Sequence, residues 1–183
     1  FISAPALDDL ECAWGCTQGF LNAKPTNNIP VLCVFDSEEV GSNSVQGAAS
    51  MLLQSTLERI CGALKQELGQ MLAQSFMVSA DNAHALHPNH PEYQDKNHAV
   101  YMNGGVVVKY NANQRYTTDG VSAALFGLIC ERAGVPVQRY ANRADMPGGS
   151  TLGNIANTQV SLNTGDIGLA QLAMHSAYET AGA

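Results

Sequence analysis

Apolar and polar positions alternate along the chain in blocks that predict helices and strands in turn. Helical spacing of apolar residues predicts helices at residues 6–21, 46–72, 118–133 and 170–180. Short apolar runs predict buried strands at residues 29–35, 75–80, 105–110 and 135–140, with a further short strand leading into Asp166. Turns or loops are expected at residues 24–28, 36–44, 81–103 and 146–153. This order predicts an α/β fold with a largely parallel sheet that is covered on both faces.

Composition narrows the function classes. The 183 residues suit about one domain, and a net charge of −7 argues against a nucleic-acid-binding surface. The apolar runs are too short for a transmembrane helix, and no signal-peptide pattern opens the sequence. The five cysteines lack Cys-x-x-Cys spacing, which favours buried thiols in a reducing compartment. We therefore expect a cytoplasmic protein with no membrane or nucleic-acid partner.

Acidic residues and histidines stand where α/β proteins carry their sites, just beyond strand ends. They are Asp8, Glu38, Glu39, Asp81, His84, His87 and His175. Each is also compatible with a solvated turn, an acid in the first turn of a helix or an exposed loop. Together they suit a two-metal hydrolase, in which one of two adjacent glutamates binds zinc and the other accepts a proton from water. The glycine-rich segment 148–153 lacks a following Gly-Lys-Ser/Thr, so a nucleotide site is weakly supported.

Six motifs resemble the aspartyl aminopeptidase family, whose members are cytosolic dizinc exopeptidases. The motifs are ISAPALDD at residues 2–9, FDSEEVGS at 35–42, SADNAHALHPN at 79–89, NQRY at 113–116, GSTLG at 149–153 and LAMHS at 172–176. They follow the family's order and span the chain. The resemblance implies a three-layer αβα zinc-exopeptidase-like fold with a mixed, largely parallel central sheet.

The resemblance also implies roles for individual residues. Asp8 would bridge two zinc ions, Glu39 and His175 would complete one site, and Asp81 would bind the other ion. Glu38 would be the general base. Substrate contacts would come from His84, Lys109 and Tyr116, with Lys109 as a charge partner for an amino-terminal Asp or Glu. Cobalt or manganese could replace zinc, whereas His87 and His90 receive no role.

Departures from the family pattern put specificity and completeness in question. Two arginines of the family are replaced, by Ala6 before Leu7-Asp8 and by Tyr178 before Glu179, and Gly148 stands for a cysteine. Residues 1–183 are expected to be the carboxyl-terminal portion of the catalytic domain, with a sheet incomplete at its amino-terminal side. A preceding histidine-bearing segment and an inserted dimerisation domain would be absent. Full-length members form dimer-based homo-oligomers, up to dodecamers.

Three functional hypotheses follow. The first is a zinc-dependent aminopeptidase that removes an acidic amino-terminal residue from peptides. The second is a non-catalytic assembly or binding module that has lost a full metal site. The third is a different dinuclear amidohydrolase acting on acyl-amino acids. Metal content separates the first two, and the substrate separates the first from the third.

Overall fold

The computed structural model describes residues 1–24 and 27–183, so part of the turn predicted at residues 24–28 lies outside the described residues. The described part contains eight strands and five α-helices. The strands are β1 (Ile2–Ala4), β2 (Phe76–Ala80), β3 (Ala83–His84), β4 (Val106–Tyr110), β5 (Val137–Ala141), β6 (Asn163–Gly168), β7 (Ala170–Leu172) and β8 (Glu179–Ala181). The helices are α1 (Leu7–Asn22), α2 (Leu52–Ala63), α3 (Leu68–Ala73), α4 (Gly120–Ala133) and α5 (Leu152–Ala156).

The larger sheet has the strand order β2-β6-β4-β5. The pairs β2/β6 and β4/β5 are parallel, and the central pair β4/β6 is antiparallel. Along β4, Val108 packs against Phe126 and Cys130 of α4, whereas Val107 belongs to a separate buried cluster with Ala83 and Ala170. The predicted mixed α/β architecture is therefore confirmed.

A second sheet, of order β1-β8-β7-β3, corrects the helix predicted at residues 170–180. Strands β7 and β8 form an antiparallel hairpin there, and β1 pairs with β8 so that Ala4 lies opposite Glu179. Ala173 and His175 have positive φ values of 58° and 65°, which a continuous helix does not allow. The apolar spacing of this segment arises from two short strands rather than from a helix.

The strand predicted at residues 29–35 is also wrong. Among the described residues, this run pairs with no strand, and Ile29 and Val34 are exposed. Cys33 and Phe35 pack instead beside Leu53. An apolar run becomes a strand only where a neighbouring edge supplies hydrogen-bond partners, and the pattern of a single segment does not reveal that edge.

The long helix predicted at residues 46–72 is two helices, α2 and α3. Lys65 adopts φ 55° between them, and the Gln66 amide donates to the Cys61 carbonyl. The first part of the predicted range forms turns. A Cβ at Gly47 would lie 2.1 Å from the Ser42 carbonyl oxygen, so the chain there passes against the segment that follows Glu38 and Glu39.

Several predicted elements are confirmed within about two residues. The helix at residues 118–133 is α4, whose first turn is capped by Asp119 accepting from the amides of Val121 and Ser122. Gly134 ends it with φ 68°. The 81–103 segment is mainly loop, with β3 and a 3₁₀ turn at Pro91–Tyr93. Among the described helices, none has the length and apolar composition needed to cross a membrane.

Candidate metal centre

One cavity of about 310 Å³ collects the site residues that the sequence predicts. All eight line it: Asp8, Glu38, Glu39, Asp81, His84, Lys109, Tyr116 and His175. These residues come from the start of α1, the turn at residues 36–41, the segment after β2, strand β4 and the segment that follows it, and the hairpin turn between β7 and β8. The fold therefore brings distant motifs to one surface.

A tight turn presents Glu38 and Glu39 to the cavity. The Gly41 amide donates to the Glu38 carbonyl at 2.8 Å, and the Ser42 amide donates to the Ser37 carbonyl at 2.9 Å. Gly41 has φ 100°, a region that favours glycine. The turn places two adjacent carboxyl groups at the cavity without a regular element of its own.

A first cluster of ligand atoms joins Asp8, Glu39 and His175. His175 Nε2 lies 3.0 Å from Asp8 Oδ2 and 3.2 Å from Glu39 Oε1. The side chain of Asp8 is almost fully buried, whereas those of His175 and Glu39 are exposed toward the cavity. Two carboxylates and one imidazole within 4.8 Å of one another form a zinc-type donor set.

A second cluster shares Asp8 with the first. One carboxylate oxygen each from Asp8, Asp9 and Asp81 lies within 4.8 Å of the others. The buried Lys109 Nζ donates to the Asp81 carbonyl at 2.9 Å, to Asp81 Oδ2 at 3.4 Å and to the Asn82 carbonyl at 3.3 Å. Lys109 therefore fixes the position of Asp81 through both its main chain and its side chain.

The clustered acids carry raised pKa values. Burial is the largest cause and the Asp81 charge the second, which together raise the pKa of Asp8 to about 7 and that of Asp9 to about 8. Burial, followed by the charges of Asp81 and Glu39, also raises the pKa of Glu38. Only part of this repulsion is offset by nearby cations, so a divalent cation would be electrostatically favoured.

The residues present fit zinc. Asp8 Oδ1 and Asp9 Oδ1 are buried and have no hydrogen-bond partner among the described residues. Buried polar atoms are normally paired, so these oxygen atoms are available as ligands. Carboxylate oxygen and imidazole nitrogen are the usual non-sulfur ligands of zinc.

The remaining predicted residues, His84, Lys109 and Tyr116, also line the cavity. Lys109 Nζ lies 5.1 Å from the centroid of the Tyr116 ring, and Tyr140 packs beside Tyr116 with ring centroids 6.4 Å apart. Burial, followed by the positive charges of His175 and Lys109, lowers the pKa of His84. His87 and His90 lie on the exposed loop outside the cavity, where His90 stacks on Tyr93.

Three buried polar residues that support the site were missed by sequence reasoning. Asn82 donates to the Leu7 carbonyl and to Gln171 Oε1. Asp166 accepts from the Thr117 amide at 2.7 Å and from the Thr151 hydroxyl at 2.9 Å. Glu179 accepts main-chain amides beside the first cluster. The sequence places Asn82 just after one predicted strand and Asp166 at the end of another, whereas Glu179 falls in the segment predicted as a helix and carries no such signal.

A carboxylate-rich cavity with two adjoining ligand clusters on an α/β fold is typical of a metal-dependent hydrolase. The family model described as "Aminopeptidase I zinc metalloprotease (M18)" matches residues 1–183, and the chain belongs to this family.

Named relatives agree with this assignment. The chain is 46% identical over 189 residues to the "Probable M18 family aminopeptidase 2" of Mycobacterium tuberculosis, covering 100% of this chain and 44% of that protein. A crystal structure of an M18 aminopeptidase from Thermotoga maritima superposes with a TM-score of 0.89 at 25% identity, covering 98% of this chain and 42% of the other. The S. cerevisiae mApe1 dodecamer superposes with a TM-score of 0.84 at 32% identity, covering 97% and 41%. The chain thus spans less than half the length of these proteins.

Proposed function

We propose that residues 1–183 form the carboxyl-terminal part of the catalytic domain of a zinc-dependent aminopeptidase. The observation that carries this proposal is that Asp8 belongs to both ligand clusters. A carboxylate with two oxygen atoms suits a bridge between two metal ions. Membership in a zinc metalloprotease family supports the same chemistry.

Two zinc ions are proposed for the complete site, and cobalt or manganese are possible substitutes. Asp8, Glu39 and His175 would hold one ion, and Asp8 with Asp81 would hold the other. The second cluster offers only carboxylates among the described residues. The family resemblance assigns its histidine ligand to a segment outside residues 1–183, which the greater length of the relatives accommodates.

Glu38 is proposed as the general base. The chemistry that zinc would supply here is Lewis-acid polarisation of the peptide carbonyl and activation of water at neutral pH. A carboxylate of Glu38 takes up the proton that water loses and then delivers it to the leaving amine nitrogen as the C–N bond breaks. Glu38 lines the same cavity as Asp8, Glu39 and His175, which is where such a base would be needed.

The proposed substrate is the amino terminus of a peptide, with Asp or Glu preferred. His84, Lys109 and Tyr116 line the same cavity and would contact this residue. The ammonium of Lys109 already donates to three oxygen atoms of Asp81 and Asn82. A direct ion pair between Lys109 and an acidic substrate would have to share these donors, so the acidic preference depends on His84 as well.

The full-length protein is further proposed to be a cytoplasmic homo-oligomer. The mApe1 neighbour is a dodecamer. Large apolar side chains are exposed on α1, at Leu10 and Trp14, and on α4, at Val121 and Leu125. Exposed apolar faces of this kind favour contacts with further protein surface.

Metal analysis and turnover of the full-length protein test the proposal together. We expect two zinc ions per subunit and hydrolysis of aspartyl- or glutamyl-p-nitroanilide that chelation abolishes and zinc restores. If the purified protein contains no zinc and binds none when zinc is added, the non-catalytic module is favoured. Turnover of acyl-amino acids without release of amino-terminal residues would favour the different amidohydrolase.

A further inference from the structure

Glu179 connects two residues of the first cluster through their main chains. Its side chain is buried, with the residue 2% exposed at the start of β8. Glu179 Oε2 accepts from the Asp8 amide at 2.9 Å, and Oε1 accepts from the His175 amide at 2.6 Å. One carboxylate therefore binds both segments that meet at the cluster.

Near the cluster, Asn82 also donates to the Leu7 carbonyl and the Ser176 amide donates to the Ala173 carbonyl, but neither bond joins one segment to the other. Asp8 and Asp9 have non-helical φ/ψ values at the start of α1, so the regular helix does not hold them. His175 lies in the β7–β8 turn with φ 65°, and its side chain is 59% exposed. A buried acceptor shared by both amides fixes the distance between two backbones that no sheet ladder joins directly.

We infer that Glu179 is a positioning residue that sets the separation of Asp8 and His175 and thereby the affinity of the metal site they share. This inference deepens the proposed function and rests on its metal site. Groups that orient metal ligands commonly change metal affinity by about 10- to 100-fold when they are replaced. Glu179 acts here through the main chain of each ligand rather than through its side chain.

Glu179→Gln is the sharpest variant because it preserves side-chain size. The amide keeps one oxygen acceptor but turns an N–H toward the second main-chain N–H, so one of the two tethers is lost. Thr180→Val is the matched control. Thr180 is the next residue of β8, and its hydroxyl contacts the Ser3 hydroxyl across the β1/β8 pair at 2.8 Å, away from the cavity.

The experiment measures zinc affinity of the full-length protein by competition with a chromophoric chelator, and the visible spectrum of the cobalt-substituted protein. We expect Glu179→Gln to weaken one zinc ion by about tenfold or more and to alter the cobalt spectrum. Thr180→Val should leave both unchanged. Parental zinc affinity and an unchanged cobalt spectrum in Glu179→Gln would overturn the inference. If wild-type protein binds zinc without aminopeptidase activity, the proposed function fails while this comparison still stands.

A second measurement uses only the wild type. It tests the inference even if the Glu179→Gln variant does not fold or the wild type binds no zinc. In chelator-treated protein, amide hydrogen exchange at Asp8 and His175 should be slowed about tenfold or more relative to Ala177. The Ala177 amide donates no hydrogen bond within the described residues. Equal exchange at His175 and Ala177 would show that the tether does not form, and would overturn the inference.

Discussion

His175 Nε2 lies 3.0 Å from Asp8 Oδ2, although one residue is near each end of the chain. The antiparallel pairing of β1 with β8 produces this proximity, because it places the start of α1 beside the hairpin that carries His175. A site built from two chain ends forms only after the second sheet has assembled. Metal binding and folding of this sheet are therefore expected to be coupled.

Replacing His175 with alanine should remove the only imidazole of the first cluster. We expect His175→Ala to bind one zinc ion fewer per subunit under conditions that saturate the wild type, because two carboxylates alone form an incomplete zinc site. His90→Ala is the control, since His90 lies on the exposed loop outside the cavity. Metal analysis after dialysis measures both. Full zinc content in His175→Ala would exclude its role as a ligand.

Replacing the buried Lys109 with methionine should destabilise the metal-free protein. The change leaves the Asp81 and Asn82 carbonyls and the Asp81 carboxylate without their donor. Loss of one partner from a buried charged pair costs about 3 kcal/mol. Denaturant unfolding after chelation measures this cost, with the exposed Lys96→Met as the matched control. A cost below about 0.5 kcal/mol, the range of ordinary surface substitutions, would contradict the structural role of Lys109.

Replacing Asp166 with asparagine should loosen one wall of the cavity. Asp166 is fully buried and holds the Thr117 and Thr151 segments through separate oxygen atoms. The introduced amide would face a main-chain or hydroxyl donor, at a cost of about 1–3 kcal/mol. Because Tyr116 and Thr151 line the cavity, we also expect a raised KM. Asp145→Asn, which weakens only an exposed pair with Arg143, should change the unfolding free energy by less than about 1 kcal/mol and leave KM unchanged.

The amino-terminal cap of α4 gives a prediction with a defined pH dependence. Hydrogen bonds from the Ser122 amide and then its hydroxyl lower the pKa of Asp119 below its usual 3.8. A lowered folded-state pKa means that the cap is at full strength above about pH 4 and weakens as pH falls through the folded value. Asp119→Ala should cost about 1 kcal/mol at pH 7, and less at low pH. Thermal unfolding at several pH values measures this cost, with the exposed Glu131→Ala as control. A stability difference between wild type and Asp119→Ala that does not shrink in acid would contradict the prediction.

The sequence alone predicts the elements whose signals are local. Asp119 and Gly134 bound α4 because a side-chain cap and a left-handed residue act within a few positions. The strand at residues 29–35 and the helix at residues 170–180 failed because both depend on distant partners. β8 is a strand through its pairing with β1 and β7, which no periodicity within residues 170–180 contains.

The candidate site likewise has a part that the sequence predicts and a part that it does not. Family motifs identify residues that line the cavity, including Glu38 and Glu39, but their metal and catalytic roles stay predictions. The supporting contacts of Glu179 and Asp166 were not predicted, because a buried acid reveals its partners only in three dimensions. Neither acid stands in an apolar run, since the two strands read NTGDIG and ETA, so no local pattern marks these acids as buried.

Glu38→Gln in the zinc-loaded full-length protein tests the central claim most directly. The variant keeps the size of the side chain but cannot accept a proton from water, so we predict a fall in kcat of about 100-fold or more with unchanged zinc content. Glu67→Gln, at an exposed position outside the cavity, should retain parental turnover. Parental kcat in Glu38→Gln at full zinc occupancy would contradict the proposed mechanism.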